Sequence, residues 1–173
     1  FKGILYEPFL ENQDAAMHLH SIFSNQDFKY ISDKIQSIRG HFAFIIEKKN
    51  EIFFTTDSAR SIPLSYCQRS DQIYISFSAN RLLKNLIENR NNVNINEALS
   101  ISMSGYTIGS QTLFNDIKNL NPGESIYIKE NKILSSMWFK YLPDKNFKKI
   151  KNLNEIENLK KVLSNIFDNI IKS

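Results

Sequence analysis

The sequence predicts an α+β fold with mainly antiparallel sheets. Its predicted strands fall in pairs joined by short polar turns, whereas single strands alternating with helices would indicate a parallel sheet. The central pair, Phe42–Ile46 and Ile52–Phe54, is joined by a charged segment, and both runs are apolar almost throughout. We therefore expect both faces of this hairpin to be covered. With 173 residues, 42% of them hydrophobic, the chain is long enough for about one domain with a substantial core.

One strand and two helices are predicted ahead of this hairpin. Phe1–Tyr6 is a short apolar run. This strand should end at Pro8 or lie at a sheet edge, since proline cannot donate to a strand ladder. Asn12 is a candidate helix cap, and apolar residues recur at helical spacing from position 15 to position 23. A second group of apolar residues, three or four apart, predicts a short helix over Asp27–Gln36.

After the hairpin the pattern mixes short strands with turns and short helices. It first predicts a turn entering a third strand at Ser61–Tyr66, a strand at Gln72–Phe77 and a helix capped by Ser78. A polar loop over Glu88–Asn96 and a helix over Asn96–Met103 follow. A Pro-Gly turn at Asn121–Glu124 then leads into a hairpin of Ser125–Lys129 with Ile133–Phe139. The Lys-rich segment Tyr141–Ile150 is interpreted as a linker.

The last segment, Asn154–Lys172, has the periodicity of an amphipathic helix with a wide apolar stripe. Asn154 is its candidate cap. Because a helix this apolar needs a partner, it either packs back on the strands or begins a second domain that is absent here.

Composition and charge narrow the functional classes. The net charge of +4 comes mostly from Lys, which serves solubility more often than planar phosphate recognition, so nucleic acid is not an expected partner. No apolar run approaches the ~20 residues that span a membrane, and no secretory signal opens the chain. The single cysteine, Cys67, cannot form an internal disulfide and is expected to be a small buried hydrophobe. We therefore expect a cytoplasmic location.

Few residues indicate chemistry by themselves. The chain contains no phosphate-binding glycine loop, no cysteine pair and no Gly-x-Ser-x-Gly elbow. His18 and His20 lie two residues apart and would point to different sides of a helix, so no metal site is predicted there. Asp57 follows a strand and is a candidate site carboxylate, although an Asp at such a junction most often hydrogen-bonds its own turn.

Four stretches of the chain carry a family resemblance through their order and spacing. Arg39–Phe44 is similar to a Leu-x-Gly-x-Phe-Ala-Phe strand motif, and Thr56–Leu64 is similar to the motif Arg-Asp-x-x-Gly-x-x-Pro-Leu-Tyr. Ser76–Leu83 stands where the same family has Phe-Ala-Ser-Glu-x-Lys, and Thr112–Gly123 matches Thr-x-Phe-x-x-Ile-x-x-Leu-x-Pro-Gly. Together these stretches resemble the asparagine synthetase family in its N-terminal class II glutamine amidotransferase domain, which is of the Ntn-hydrolase type. The resemblance runs from about Gly3 to Lys172.

The resemblance implies a fold and a domain organisation. Residues 1–142 would form an αββα sandwich of two mainly antiparallel sheets. Residues 143–173 would be a linker and the first helix of an absent ATP-dependent synthetase domain, the expected partner in cis. ATP and magnesium would bind that domain, whose Ser-Gly-Gly-x-Asp-Ser loop does not occur in this sequence. A homodimer also stays open, because an apolar C-terminal helix can find its partner in cis or in trans.

Departures from the family pattern concern the glutamine site. Glutaminase chemistry in the family needs an N-terminal Cys whose own amine acts as the base, and this chain begins with Phe1. The family's Asn-Gly-Glu-Ile-Tyr segment corresponds to residues 2–6, so Lys2 and Ile4 stand where Asn and Glu bind glutamine. The family's Asp that holds the glutamine amine falls near Asn12. Replacing the Glu and the Asp by Ile4 and Asn12 removes charges that would pair with an ammonium group.

Three functions remain open on the sequence alone. The favoured one is a catalytically silent amidotransferase-like scaffold domain of an asparagine-synthetase-like ligase, with no catalytic or cofactor-binding residue of its own. The second is an active glutamine amidotransferase domain whose Cys precedes Phe1. The third is a stand-alone binding module. The sequence does not indicate which carboxylate or amine a downstream domain would join.

Overall fold

We analysed a computed structural model of the chain, which describes residues 1–70, 72–86, 92–140 and 153–172. The strands are β1 (Lys2–Tyr6), β2 (Phe9–Glu11), β3 (Gly40–Lys48), β4 (Glu51–Thr56), β5 (Ser65–Arg69), β6 (Gln72–Ser76), β7 (Lys118–Asn119), β8 (Glu124–Lys129) and β9 (Lys132–Met137). The helices are α1 (Asn12–Phe23), α2 (Phe28–Lys34) with a 3-10 turn at Ile35–Ser37, α3 (Ala79–Leu86), α4 (Ile95–Ser104) and α5 (Leu153–Lys172).

The strands form two antiparallel sheets. The large sheet has the order β2-β1-β3-β4-β8-β9, and the small sheet has the order β6-β5-β7. Every neighbouring pair is antiparallel, and most pairs are hairpins of consecutive strands. This confirms the predicted α+β class with antiparallel sheets.

Alternate residues of the central strands pack into two different cores. Phe42 and Phe44 of β3 pack toward α1 and α2, whereas Ala43 between them packs toward the small sheet. On β4, Phe53 and Phe54 divide in the same way. Since successive strand residues point to opposite faces, a strand that is apolar throughout is buried on both sides. The prediction that this hairpin is covered on both faces is confirmed.

A third core lies on the far side of the small sheet. There Cys67 of β5 packs with Leu82 of α3 and with Ile117. The layers are therefore α1 and α2, the large sheet, the small sheet, and α3, which is the αββα sandwich that the family resemblance implied.

The Pro-Gly turn at Asn121–Glu124 joins the two sheets. Glu124 donates its backbone N–H to the Asn121 carbonyl at 3.1 Å, and its carboxylate accepts from the Asn121 N–H at 2.7 Å. Gly123 has φ +67°, and a Cβ added there would lie 2.6 Å from Cβ of Phe139. Glycine is required here by both the left-handed backbone and the close contact.

Some local predictions were wrong. Asn12 is not a cap: Glu11 occupies the cap position without a side-chain bond, and Asn12 is the first helical residue, with φ +40°. Asn154 lies inside α5, which begins at Leu153. Helix α4 begins one residue earlier than predicted, because Asn94 caps it by accepting from the N–H groups of Asn96 and Glu97.

Two short strands were not predicted. β2 and β7 have only three and two residues, too few to show a periodic pattern, and they exist because a neighbouring strand offers backbone partners. The predicted loop over Glu88–Asn96 lies partly, and the linker Tyr141–Ile150 wholly, outside the described residues. The described chain divides into two units, residues 1–140 and 141–173, and the second is described only through α5. The domain boundary after residue 142 stays a prediction.

Candidate functional site

The small sheet leaves one end of the large sheet uncovered. The core between the sheets takes its large-sheet side chains from β3, β4, β8 and β9. Strands β2 and β1 lie beyond β3 at the edge. We call the surface on this side the edge face, and it carries Lys2, Ile4, Tyr6, Phe9, Glu11 and His41.

Strand register fixes which side chains share the edge face. Ile4 pairs with Glu11 on one side and with His41 on the other, so these three form a row. Tyr6 pairs with Phe9 in the next row, and Lys2 is the diagonal neighbour of both Glu11 and His41. Directly paired side chains of antiparallel strands point the same way, and long side chains reach their diagonal neighbours. The edge face therefore combines aromatic, apolar and charged groups at one open surface.

The predicted glutamine-site positions fall on or beside this face. Lys2 is exposed and Ile4 half-buried, two residues apart on β1. Asn12 follows Glu11 directly, at the start of α1. The structure therefore places Lys2 and Ile4 side by side and Asn12 one residue beyond the Glu11–Ile4–His41 row. Their status as replaced glutamine ligands stays a prediction.

Asp57 is the most heavily hydrogen-bonded side chain near the edge face. It is 2% exposed. Its Oδ2 accepts from the Phe42 N–H at 3.1 Å, and its Oδ1 accepts from the Ala59 N–H at 2.8 Å. The Ser61 N–H donates at 3.1 Å to Oδ2, and the Ser61 hydroxyl donates at 3.2 Å to Oδ1. Within this chain, these bonds make Asp57 the structural turn carboxylate that the sequence favoured.

The backbone of Asp57 extends the same network. Its N–H donates to the Phe42 carbonyl at 2.8 Å, and its carbonyl accepts from Arg60 at 3.1 Å and from Gly123 at 3.0 Å. Asp57 therefore ties β3, its own turn and the Pro-Gly turn into one unit. Arg60 has φ +53°, which is costly for a side chain and explains why a Gly at this position suits the motif that the turn resembles.

His41 connects the edge face to this buried carboxylate. Its Nδ1 lies 2.7 Å from the Ser61 hydroxyl oxygen, which in turn bonds Asp57. Its ring meets the Tyr6 ring edge-on, with centroids 5.4 Å apart. Burial, and to a lesser extent the charge of Asp57, raise the pKa of the Tyr6 hydroxyl, so Tyr6 stays neutral at physiological pH.

Sequence reasoning missed His41 and Ser61. The alternation of strand residues would have placed His41 on the face opposite Phe42, but its partner Ser61 is 20 residues away and no local pattern links the two. The one sequence feature that could have indicated His41 is a polar residue at the start of an otherwise apolar strand.

Cys67 lies away from the edge face. It is 3% exposed and packs in the core between the small sheet and α3. Burial raises the pKa of its thiol, so the nucleophilic thiolate is scarce at neutral pH. The one cysteine of this chain is therefore a core residue, as predicted, and does not supply a nucleophile to the edge face.

This placement predicts slow chemical labelling of Cys67. We expect the native thiol to react with an aromatic disulfide reagent at least about tenfold more slowly than the urea-unfolded chain at the same pH, because the thiol must first become exposed. Absorbance of the released thiol measures the rate. Equal rates in the two states would contradict the buried placement.

The side chains that most often bind metals do not cluster in the described residues. Across the described ranges, no three His, Cys, Asp or Glu side chains are grouped so as to hold a metal ion. His18 and His20 lie on α1, and His20 lines a cleft of about 580 Å³ between α1 and β3 with Met17, Phe23 and Phe44. Among the helices that the structure describes, none is long and apolar enough to cross a membrane.

These features define a two-sheet α+β sandwich with an open, chemically mixed face at one sheet edge. A family model for the glutamine amidotransferase domain matches residues 27–139, which is more than half of the chain. The chain therefore belongs to the glutamine amidotransferase domain family. The match includes His41, Asp57 and Ser61 but does not extend to Lys2, Ile4 or Asn12. No curated protein matches the chain.

Proposed function

We propose that this chain is a glutamine amidotransferase-like domain that does not hydrolyse glutamine and serves as a scaffold within an asparagine-synthetase-like, ATP-dependent amide-forming ligase. The observation that carries the proposal is the composition of the edge face. At the two positions where the resembled family binds glutamine through Asn and Glu, this face presents Lys2 and Ile4. Ile4 offers no acceptor for an ammonium or amide group.

The one cysteine of this sequence is not the nucleophile that glutamine hydrolysis needs. A glutaminase of this kind needs a thiol that can reach the substrate carbonyl. Cys67 is buried in a different core, beyond the small sheet, and its raised pKa disfavours the thiolate. Ser61 is no substitute, because its hydroxyl is bonded to Asp57, whose negative charge opposes formation of an alkoxide.

The ligase context rests on the order of the resembled motifs and on α5. This helix carries a wide apolar face made of Ile156, Leu159, Val162, Leu163, Ile166, Phe167, Ile170 and Ile171. A face of this width suits the core of a further domain. We propose that this domain is an ATP-dependent synthetase in cis, in a cytoplasmic protein, with a homodimer as an additional assembly. ATP and magnesium would bind there, since no residue pattern of this chain forms a phosphate loop.

The test uses the natural full-length protein. We expect glutamate release from glutamine to stay at the level of a no-protein control, because the residues that hold the substrate amine are replaced. Steady turnover above that control would overturn the silent-domain proposal and support an active amidotransferase whose Cys lies outside this sequence.

A separate measurement tests the proposal that this domain belongs to an ATP-dependent ligase. We expect the full-length protein to exchange labelled pyrophosphate into ATP when magnesium and the carboxylate substrate are present, because such ligases activate a carboxylate as an adenylate. A natural chain that has no sequence for a synthetase domain would overturn the ligase context and favour a stand-alone binding module.

A further inference from the structure

We propose that the edge face holds a small oxyanion, a carboxylate or a phosphate group, between the protonated ring of His41 and the ammonium group of Lys2. This site does not depend on glutamine hydrolysis. It goes beyond the scaffold role, since it assigns a ligand class to the open face of the domain.

The orientation of His41 is the first step of the argument. Asp57 accepts hydrogen bonds only, so the Ser61 hydroxyl gives its proton to Asp57 and presents a lone pair to His41. With the hydroxyl turned toward Asp57, we assign the 2.7 Å contact as a hydrogen bond from Nδ1–H of His41 to Ser61. This arrangement fixes the ring by its Nδ1 side and leaves Nε2 for a ligand.

In its protonated form, the ring of His41 supplies the first cation of the proposed site. A protonated His41 keeps its Nδ1–H bond to Ser61 and offers a second N–H at Nε2. That N–H is a charge-assisted donor to an oxyanion, and such bonds are roughly twice as strong as neutral ones.

Lys2 supplies the second cation. It pairs with Ala43 and is therefore the diagonal neighbour of His41 on the same face. Its long side chain reaches such a neighbour. Ile4, which pairs directly with His41 and lies two residues from Lys2 on β1, flanks this diagonal without offering a competing donor or acceptor.

The other charged and titratable groups near His41 define the surroundings of the site. Tyr6 contacts the His41 ring, and Arg39 lies opposite Tyr6, whose N–H donates to the Arg39 carbonyl at 2.8 Å. Glu11 lies on the far side of Ile4. With His41 protonated, the cations Lys2, Arg39 and His41 outnumber the carboxylates Glu11 and Asp57, so the local balance favours an anion over a cation.

The test is a titration of the isotope-labelled chain with potassium phosphate and, separately, potassium acetate, followed by the imidazole resonances at constant ionic strength. We expect saturable shifts at His41, with His18 and His20 on α1 as internal controls that do not saturate. Affinity for acetate, which stays largely ionised over this range, should be higher at about pH 5.5 than at about pH 8, because only a protonated imidazole offers N–H groups at both ring nitrogens. The tighter of the two anions names the ligand class.

Matched variants separate the two cations. His41→Asn should remove the pH dependence, and Lys2→Gln should lower the affinity at every pH while keeping that dependence. His20→Asn is the control for general loss of positive charge. Folding of each variant is checked by its amide spectrum. Shifts that are equal at all three histidines, or that potassium chloride reproduces, would overturn the site, as would a pH dependence that survives His41→Asn.

Discussion

Replacing Asp57 by Ala should lower the free energy of unfolding by about 3 kcal/mol or more, because each buried N–H group that loses its acceptor costs about 1–3 kcal/mol. The carboxylate is 2% exposed and accepts from the backbone N–H groups of Phe42, Ala59 and Ser61. These donors would lose their acceptor in a place that water enters poorly. Urea unfolding followed by circular dichroism measures the change.

Two further variants make the Asp57 result interpretable. Asp57→Asn keeps one acceptor oxygen and should lose about half as much stability, because its amide group replaces the other oxygen. Asp27→Ala is the matched control: Asp27 is exposed and accepts only from Tyr30 N–H at 2.7 Å, so its loss should cost about 1 kcal/mol. If Asp57→Ala lowered the free energy of unfolding by no more than Asp27→Ala does, Asp57 would not be the residue that ties β3 to the two turns.

Gly3→Ala should separate β1 from β3 and lower the free energy of unfolding by about 3 kcal/mol or more, since backbone strain and overpacking add. Gly3 has φ +129°, and a Cβ there would lie 2.0 Å from the His41 carbonyl oxygen and 2.9 Å from Cδ1 of Ile62. The first of these contacts is with backbone, which cannot rotate aside. Amide hydrogen exchange across β1 and β3 measures the separation.

Gly105 provides a control that isolates the steric part of this effect. It ends α4 at φ +83°, also a left-handed conformation, but a Cβ there would meet nothing within 4 Å. Gly105→Ala should therefore cost only the left-handed backbone strain, about 1–2 kcal/mol. Equal costs for the two alanines would show that the close approach of β1 to β3 is not what requires Gly3.

The two predictions bear on the edge face in different ways. Gly3→Ala displaces the strand that carries Lys2, Ile4 and Tyr6, whereas Asp57→Ala removes the group that orients His41 through Ser61. Both should therefore weaken oxyanion binding at the edge face before global unfolding. The stability measurement and the binding measurement together distinguish a loosened site from an unfolded domain.

Much of the fold was readable from local sequence. The pairing of strands, the covered hairpin of Phe42–Ile46 with Ile52–Phe54, and the buried faces of α1 and α2 follow from hydrophobic periodicity, which acts over a few residues. The Pro-Gly turn before β8 follows from the backbone preferences of its residues. Helix starts were less accurate at Asn12 and Asn154, because a capping residue alone does not fix where the first hydrogen bond forms.

The candidate site could be predicted only in part. Lys2, Ile4 and Asn12 were reached through a resemblance, and Asp57 through its position after a strand. The structure adds the row Glu11–Ile4–His41 and the link from His41 through Ser61 to Asp57. These residues come from β2, β1, β3 and the turn after β4, and no sequence period connects elements so far apart in the chain.

By itself the sequence determined the class of the fold, the structural role of Asp57 and the burial of Cys67, because propensity and burial depend on each residue and its near neighbours. Only the tertiary structure decided that β1 and β2 extend the large sheet beyond the cover of the small one. Strand order arises from pairing between distant segments, so the open face on which Lys2, Ile4 and His41 meet exists only once those strands have paired.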